Sequence, residues 1–112
     1  MERVLKDKME TILNETTKLS FPFFTGDDKK KDIMRKERIR LKSCITNLLS
    51  LYNLNEIAEN IEEEKIWDDA WKTSAKKFNS LPDGVKINSF FLQELMHEYV
   101  RAMIEKIEDM IY

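Results

Sequence analysis

The sequence predicts an all-α bundle of four or five helices, and three observations carry that expectation. The 112 residues contain only 2 Gly and 2 Pro, too few turn formers for a loop-rich sandwich or barrel. Apolar residues recur at intervals of three and four along most of the chain, the period of one helix face. Hydrophobic residues make up 42% of the chain, enough to build a core in a single domain spanning residues 1–112.

The first helix is marked by Leu5, Met9, Ile12, Thr16 and Leu19, which share one face. Ser20 to Gly26 ends it, because Pro22 disfavours helical geometry at Phe21 and has no N–H for the ladder. Phe21, Phe23 and Phe24 in that connection are expected to plug the core or a partner's groove. Thr25 or Asp27 is positioned to cap a second helix. Its stripe runs Met34, Leu41, Ile45, Leu48 and Tyr52, with Arg38 standing where an apolar residue would complete the spacing. Leu49 and Leu51 are expected to widen the apolar face.

Asn53 with Glu56 three residues later reads as a capping-box variant that restarts a helix. Ile57 and Ile61 follow, Glu62-Glu63-Glu64 interrupts, and the stripe resumes out of phase at Trp67, Trp71, Ala75 and Phe78, so a bent or broken helix is expected. Leu81-Pro82-Asp83-Gly84 is a turn, and Asn88 or Ser89 caps the last helix. That helix carries Leu92, Leu95, Met96, Tyr99, Met103, Ile107 and Met110, broadened by Phe91, Val100, Ile104 and Ile111. A stripe this wide belongs to a helix that is central in its own bundle or shared across a dimer.

Charge separates sharply along the chain. Lys plus Arg is 19 and Asp plus Glu is 21, a net charge of -2 that excludes a uniformly basic nucleic-acid coat. Within residues 29–42, however, Lys29, Lys30, Lys31, Arg35, Lys36, Arg38, Arg40 and Lys42 face only Asp32 and Glu37, so this stretch is +6 and the other 98 residues are -8. Such a basic helix could contact phosphates, an acidic protein surface or solvent. No aromatic residue interleaves with the basic ones, which argues against stacking on single strands. The acidic counterpart is Glu56, Glu59, Glu62, Glu63, Glu64, Asp68 and Asp69, which lacks the Gly-turned oxygen loop of a calcium site. Residues 55–61 resemble the first helix of a helix-turn-helix, with Ala58 at the packing position. The tight Gly turn that should follow is missing, and DNA would repel Glu62-Glu63-Glu64.

Reactive constellations are sparse. Glu94 and His97 form one Glu-x-x-His pair, of which di-iron bundles need two, and His97 is the chain's single His. The single cysteine, Cys44, has no nearby base in sequence, is expected to be a buried structural thiol, and fits a reducing compartment. No Gly-rich phosphate loop, Ser-His-Asp set or zinc-type Cys cluster occurs, so neither a cofactor nor a metal is expected. No apolar run is long enough for a membrane span or a signal peptide, so a soluble intracellular protein without a membrane partner is expected.

These features lead to a non-catalytic protein–protein interaction module, a small regulator, inhibitor or assembly subunit able to self-associate, with no small-molecule substrate. Its apolar contacts are expected from Phe21, Phe23, Phe24, Trp67, Trp71, Tyr99 and Met103, with Phe90 and Phe91 raising the same question. The alternative is a nucleic-acid-binding subunit that contacts phosphates through residues 29–42.

Overall fold

The fold was obtained as a computed structural model that describes residues 2–16 and 27–111. These form five α-helices: α1 (Glu2–Thr16), α2 (Asp27–Leu51), α3 (Asn55–Glu59), α4 (Glu63–Lys77) and α5 (Ser89–Ile111). The all-α bundle expected from the apolar spacing is therefore what the chain forms. Leu19, the phenylalanines at 21, 23 and 24, and Thr25 lie outside the described residues, and Asp27 is the first residue of α2. No helix among the described residues is long and apolar enough to cross a membrane.

The hairpin of α4 and α5 is the centre of the molecule, and α5 also packs against α1 and α2. Ten of the 23 residues of α5 are buried: Phe91, Leu92, Leu95, Met96, Glu98, Tyr99, Val100, Met103, Ile104 and Ile107. Its wide stripe is thus consumed inside the bundle, against α4, α1 and α2. Truncating any one of the large apolar side chains here to Ala would cost roughly 2–5 kcal/mol. Leu5 and Met9 of α1 and Leu41, Ile45, Leu48 and Leu49 of α2 complete the same core. Met110, at the far end of the α5 stripe, is exposed.

Two asparagines end helices. Asn53 and Asn79 both have positive φ, 59° and 54°. Behind each, the chain closes in the same way. Leu54 N–H donates to Leu49 O while Asn53 N–H donates to Ser50 O; Ser80 N–H donates to Ala75 O while Asn79 N–H donates to Lys76 O. This is the Schellman arrangement, in which Asn substitutes for the usual Gly because it tolerates the left-handed region better than other side chains. Asn53 therefore terminates α2 and does not cap α3. Leu54 holds the cap position of α3, with no side-chain hydrogen bond. Leu51 also departs from expectation: it lies about 200° around the helix from buried Leu49 and is exposed. The stretch after Asn53 is broken, not bent, with α3 ending at Glu59 and α4 beginning at Glu63.

The connection from α4 to α5 follows its residues closely. Gly84 N–H donates to Leu81 O at 3.0 Å, closing the turn with Pro82 at its second position. Asn88 Oδ1 accepts from Phe91 N–H at 2.9 Å, capping α5. Trp71 Nε1–H donates to Pro82 O at 2.9 Å, which ties the loop to α4.

Candidate interaction surface

Arg38 occupies the gap in the apolar stripe of α2, so its side chain is directed inward, toward the start of α4. Its Nε and a terminal nitrogen donate to the two carboxylate oxygens of Glu63 at 2.6 and 2.8 Å. The guanidinium also lies 4.6 Å from the centre of the Trp67 ring, a cation–π contact. Tyr99 of α5 donates its hydroxyl proton to Glu63 Oε1 at 2.7 Å. One carboxylate thus joins α2, α4 and α5. The hydrogen bonds from Arg38 hold the Glu63 carboxyl below its usual range, against the opposing effect of burial. Burial first, and the adjacent Glu63 second, push the Tyr99 phenol well above its ordinary value, so it remains a donor.

The rest of the basic segment is arranged along the same helix. Arg35 and Lys36 reach Asp32 at 3.3 and 3.0 Å, and Arg40 reaches Glu37 at 2.9 Å. Lys30 is half-buried, while Lys29, Lys31 and Lys42 are exposed. The eight cations therefore divide: one ties helices together, three pair with carboxylates one turn away, Lys30 is half-buried, and Lys29, Lys31 and Lys42 lie open to solvent.

A second ionic cluster joins α4 to α5. Lys77 Nζ contacts Glu94 at 2.5 Å and Glu98 at 2.8 Å, and Arg101 contacts Glu98 at 3.0 Å. Burial pushes the Glu98 carboxyl up, but hydrogen bonds from Lys77 and Arg101 outweigh it and hold the group below its ordinary value. The Glu94–His97 pair does not converge: Glu94 serves Lys77, and His97 Nδ1 lies 2.9 Å from Thr16 Oγ1. No group of three or more His, Cys, Asp or Glu among the described residues is placed to hold a metal ion. Cys44 is half-buried, less enclosed than its position on the apolar half of α2 suggested.

Of the residues anticipated as apolar contacts, those that the structure describes are mostly interior. Trp67 packs edge-on against Tyr99 with ring centres 5.1 Å apart, and Trp67, Tyr99 and Met103 are all buried. Trp71 is half-buried, with Phe91 edge-on at 5.1 Å. Of the exposed large apolar residues, Val4, Ile39, Leu51 and Met110 are spread over α1, α2 and the end of α5, and three lie at the end of the α4–α5 hairpin: Phe78 is 42% exposed, Leu81 79% and Phe90 71%. Phe78 closes α4, Leu81 opens the turn and Phe90 lies in the first turn of α5. Phe90 was legible as an outward residue because it is out of step with Leu92, Leu95 and Tyr99. Leu81 carried no such signal, since loop residues have no period.

Charge follows the hairpin axis. The first turn of α4 holds Glu63 and Glu64, and its last turn holds Lys76 and Lys77. Residues 71–90 contain Lys72, Lys76, Lys77 and Lys86 against Asp83 alone. At the opposite end, residues 55–69 carry seven carboxylates against Lys65, and the last turns of α5 add Glu105, Glu108 and Asp109 against Lys106. There Glu62, Lys65, Ile66, Asp69, Lys106 and Met110 contribute to a cleft of ≈ 190 Å³ whose lining carries both signs of charge. That is below the ~300–1,000 Å³ of typical small-molecule sites, and suits a single side chain. Comparison of the chain with protein-family models, with curated proteins and with solved structures finds no match in any of the three.

Proposed function

We propose that this chain is a non-catalytic protein-interaction module whose contact surface is the loop end of the α4–α5 hairpin. The observation that carries the reading is the exposure of Phe78, Leu81 and Phe90 within 13 residues at one end of the bundle. Single exposed apolar residues are ordinary, but three large ones grouped at a helix–turn–helix tip are what a docking site requires. Tyr99, bonded to Glu63 at the other end of α4, and Met103 are buried in the core and do not form this surface. Trp71, bonded to Pro82 O, holds the loop in place. A regulator, inhibitor or assembly subunit works in this way, and the lone Cys44 suits it to a reducing compartment.

The test is site-specific photo-cross-linking. A photoreactive phenylalanine analogue placed at Phe90, at Leu81 and, as a control, at Lys8 of α1 is activated in the source cells. The reading expects a protein adduct shared by Phe90 and Leu81 and missing at Lys8. Adducts to nucleic acid, or the same yield at all three positions, would count against it.

Lys29, Lys31 and Lys42, exposed on α2, support the second reading, phosphate contact by the basic segment. Four of the eight cations are already engaged by carboxylates, which weakens it. Duplex binding measured at two salt concentrations decides the matter. Replacing the three lysines by Glu should abolish binding if this reading holds. If there is no binding at low salt to abolish, the reading fails.

A further inference from the structure

We infer that the hairpin end docks onto the acidic end of a second copy of this chain, head against tail. The inference rests on the interaction-module reading and names the occupant of the same surface. The head presents Phe78, Leu81 and Phe90 beside exposed Lys72, Lys76 and Lys86. The tail presents exposed Met110 and the cleft beside it, which Glu62 and Asp69 line together with Lys65 and Lys106, in a region that exposed Glu59, Glu64 and Asp109 make acidic overall. Each end combines apolar surface with a net charge, basic at the head and acidic at the tail.

Two physical points select this pairing. First, head and tail cannot meet within one chain, because they lie at opposite ends of antiparallel helices and the 15 residues of α4 alone separate them by about 22 Å. Second, contact between like ends would set lysines against lysines or carboxylates against carboxylates, a juxtaposition that costs affinity. Opposite ends attract, and the tail cleft has room for one side chain such as Phe90 or Leu81. A head-to-tail contact of this kind is heterologous, so each copy retains a free head and a free tail unless the assembly closes.

Sedimentation velocity on the full chain from micromolar to millimolar concentration tests this. Association that rises with concentration and falls with added salt is expected, since exposed charges steer it. A head variant, Leu81→Glu with Phe90→Glu, and a tail variant, Asp109→Lys with Met110→Lys, change only exposed positions, and circular dichroism verifies that each retains its helices. Each variant alone should self-associate about a hundredfold more weakly, as expected when two anchoring side chains are lost. Mixed one to one, they should form a heterodimer, because one intact head meets one intact tail. A chain that remains monomeric at millimolar concentration in low salt, self-association that neither variant weakens, or a mixture that stays monomeric would overturn the inference. If self-association fails while cross-linking at Phe90 and Leu81 yields another protein, the module reading survives without this occupant. If cross-linking yields no protein, both fall.

Discussion

Arg38→Ala separates a structural role for the basic segment from a contact role. In the structure the Arg38 side chain is 30% exposed and its partner Glu63 14%. The pair is too enclosed to follow the ~0–1 kcal/mol of surface ion pairs, and too open for the ~3–5 kcal/mol of fully buried ones. Removing the guanidinium deletes two charge-assisted hydrogen bonds and leaves the Glu63 carboxylate with the Tyr99 hydroxyl as its remaining described partner, a loss of roughly 2 kcal/mol. The contact with the Trp67 ring adds ~0.5–1 kcal/mol. The expected loss is therefore about 3 kcal/mol, read from urea unfolding followed by tryptophan fluorescence and circular dichroism. Arg35→Ala is the matched control. Its partner Asp32 lies one turn away on the same helix, and both side chains are well exposed, at 69% and 46%, so stability should not change measurably. A double-mutant cycle with Glu63→Gln should return a coupling of at least ~1 kcal/mol. If Arg38→Ala is no more harmful than Arg35→Ala, or the coupling is near zero, the assignment of Arg38 to the α2–α4–α5 junction is wrong.

Three further outcomes follow from the same geometry. Glu63 and Glu98 both titrate below the ordinary Glu value of ~4.3, so the unfolded chain takes up the proton first; the stability they confer is complete above that pH and is lost as pH falls through their folded values, and Glu98→Gln should flatten this decline in urea titrations between neutral and acid pH. Ser74 is fully buried and its hydroxyl has no hydrogen-bond partner among the described residues, so Ser74→Ala should leave thermal stability unchanged or raise it by up to ~1 kcal/mol, whereas a clear loss would reveal a partner for that oxygen. Asn53→Gly and Asn79→Gly should each be neutral or stabilising, and Asn53→Val should cost at least ~1 kcal/mol, because a β-branched side chain resists positive φ; the reverse order would refute the left-handed assignment.

Much of the architecture was legible from spacing. The stripe of α5 identified residues that the fold buries, and Asn88 and the turn at Leu81–Gly84 lie where their chemistry indicated. Asn53 was misread for a physical reason: the same residue type caps a helix with its side chain or ends one by adopting positive φ, and which occurs depends on the packing of Leu54 back toward Leu49. The candidate surface was less legible. Trp67, Tyr99 and Met103 are large and apolar, which fits an interface as well as a core; only the placement of α4 against α5 decides between them.

The sequence by itself determined a helical bundle with a charge asymmetry, since helical period and charge are properties of local order. The tertiary structure alone decided what those charges do. It brings Arg38 to Glu63 across 25 residues and Lys77 to Glu98 across 21, turning part of an apparent binding face into joints between helices. It also places the acidic start and basic end of α4 at opposite ends of the hairpin and exposes Phe78, Leu81 and Phe90 at the basic one. Ion pairing acts over a few ångströms of space, whatever the separation along the chain, so no reading of spacing could assign those partners.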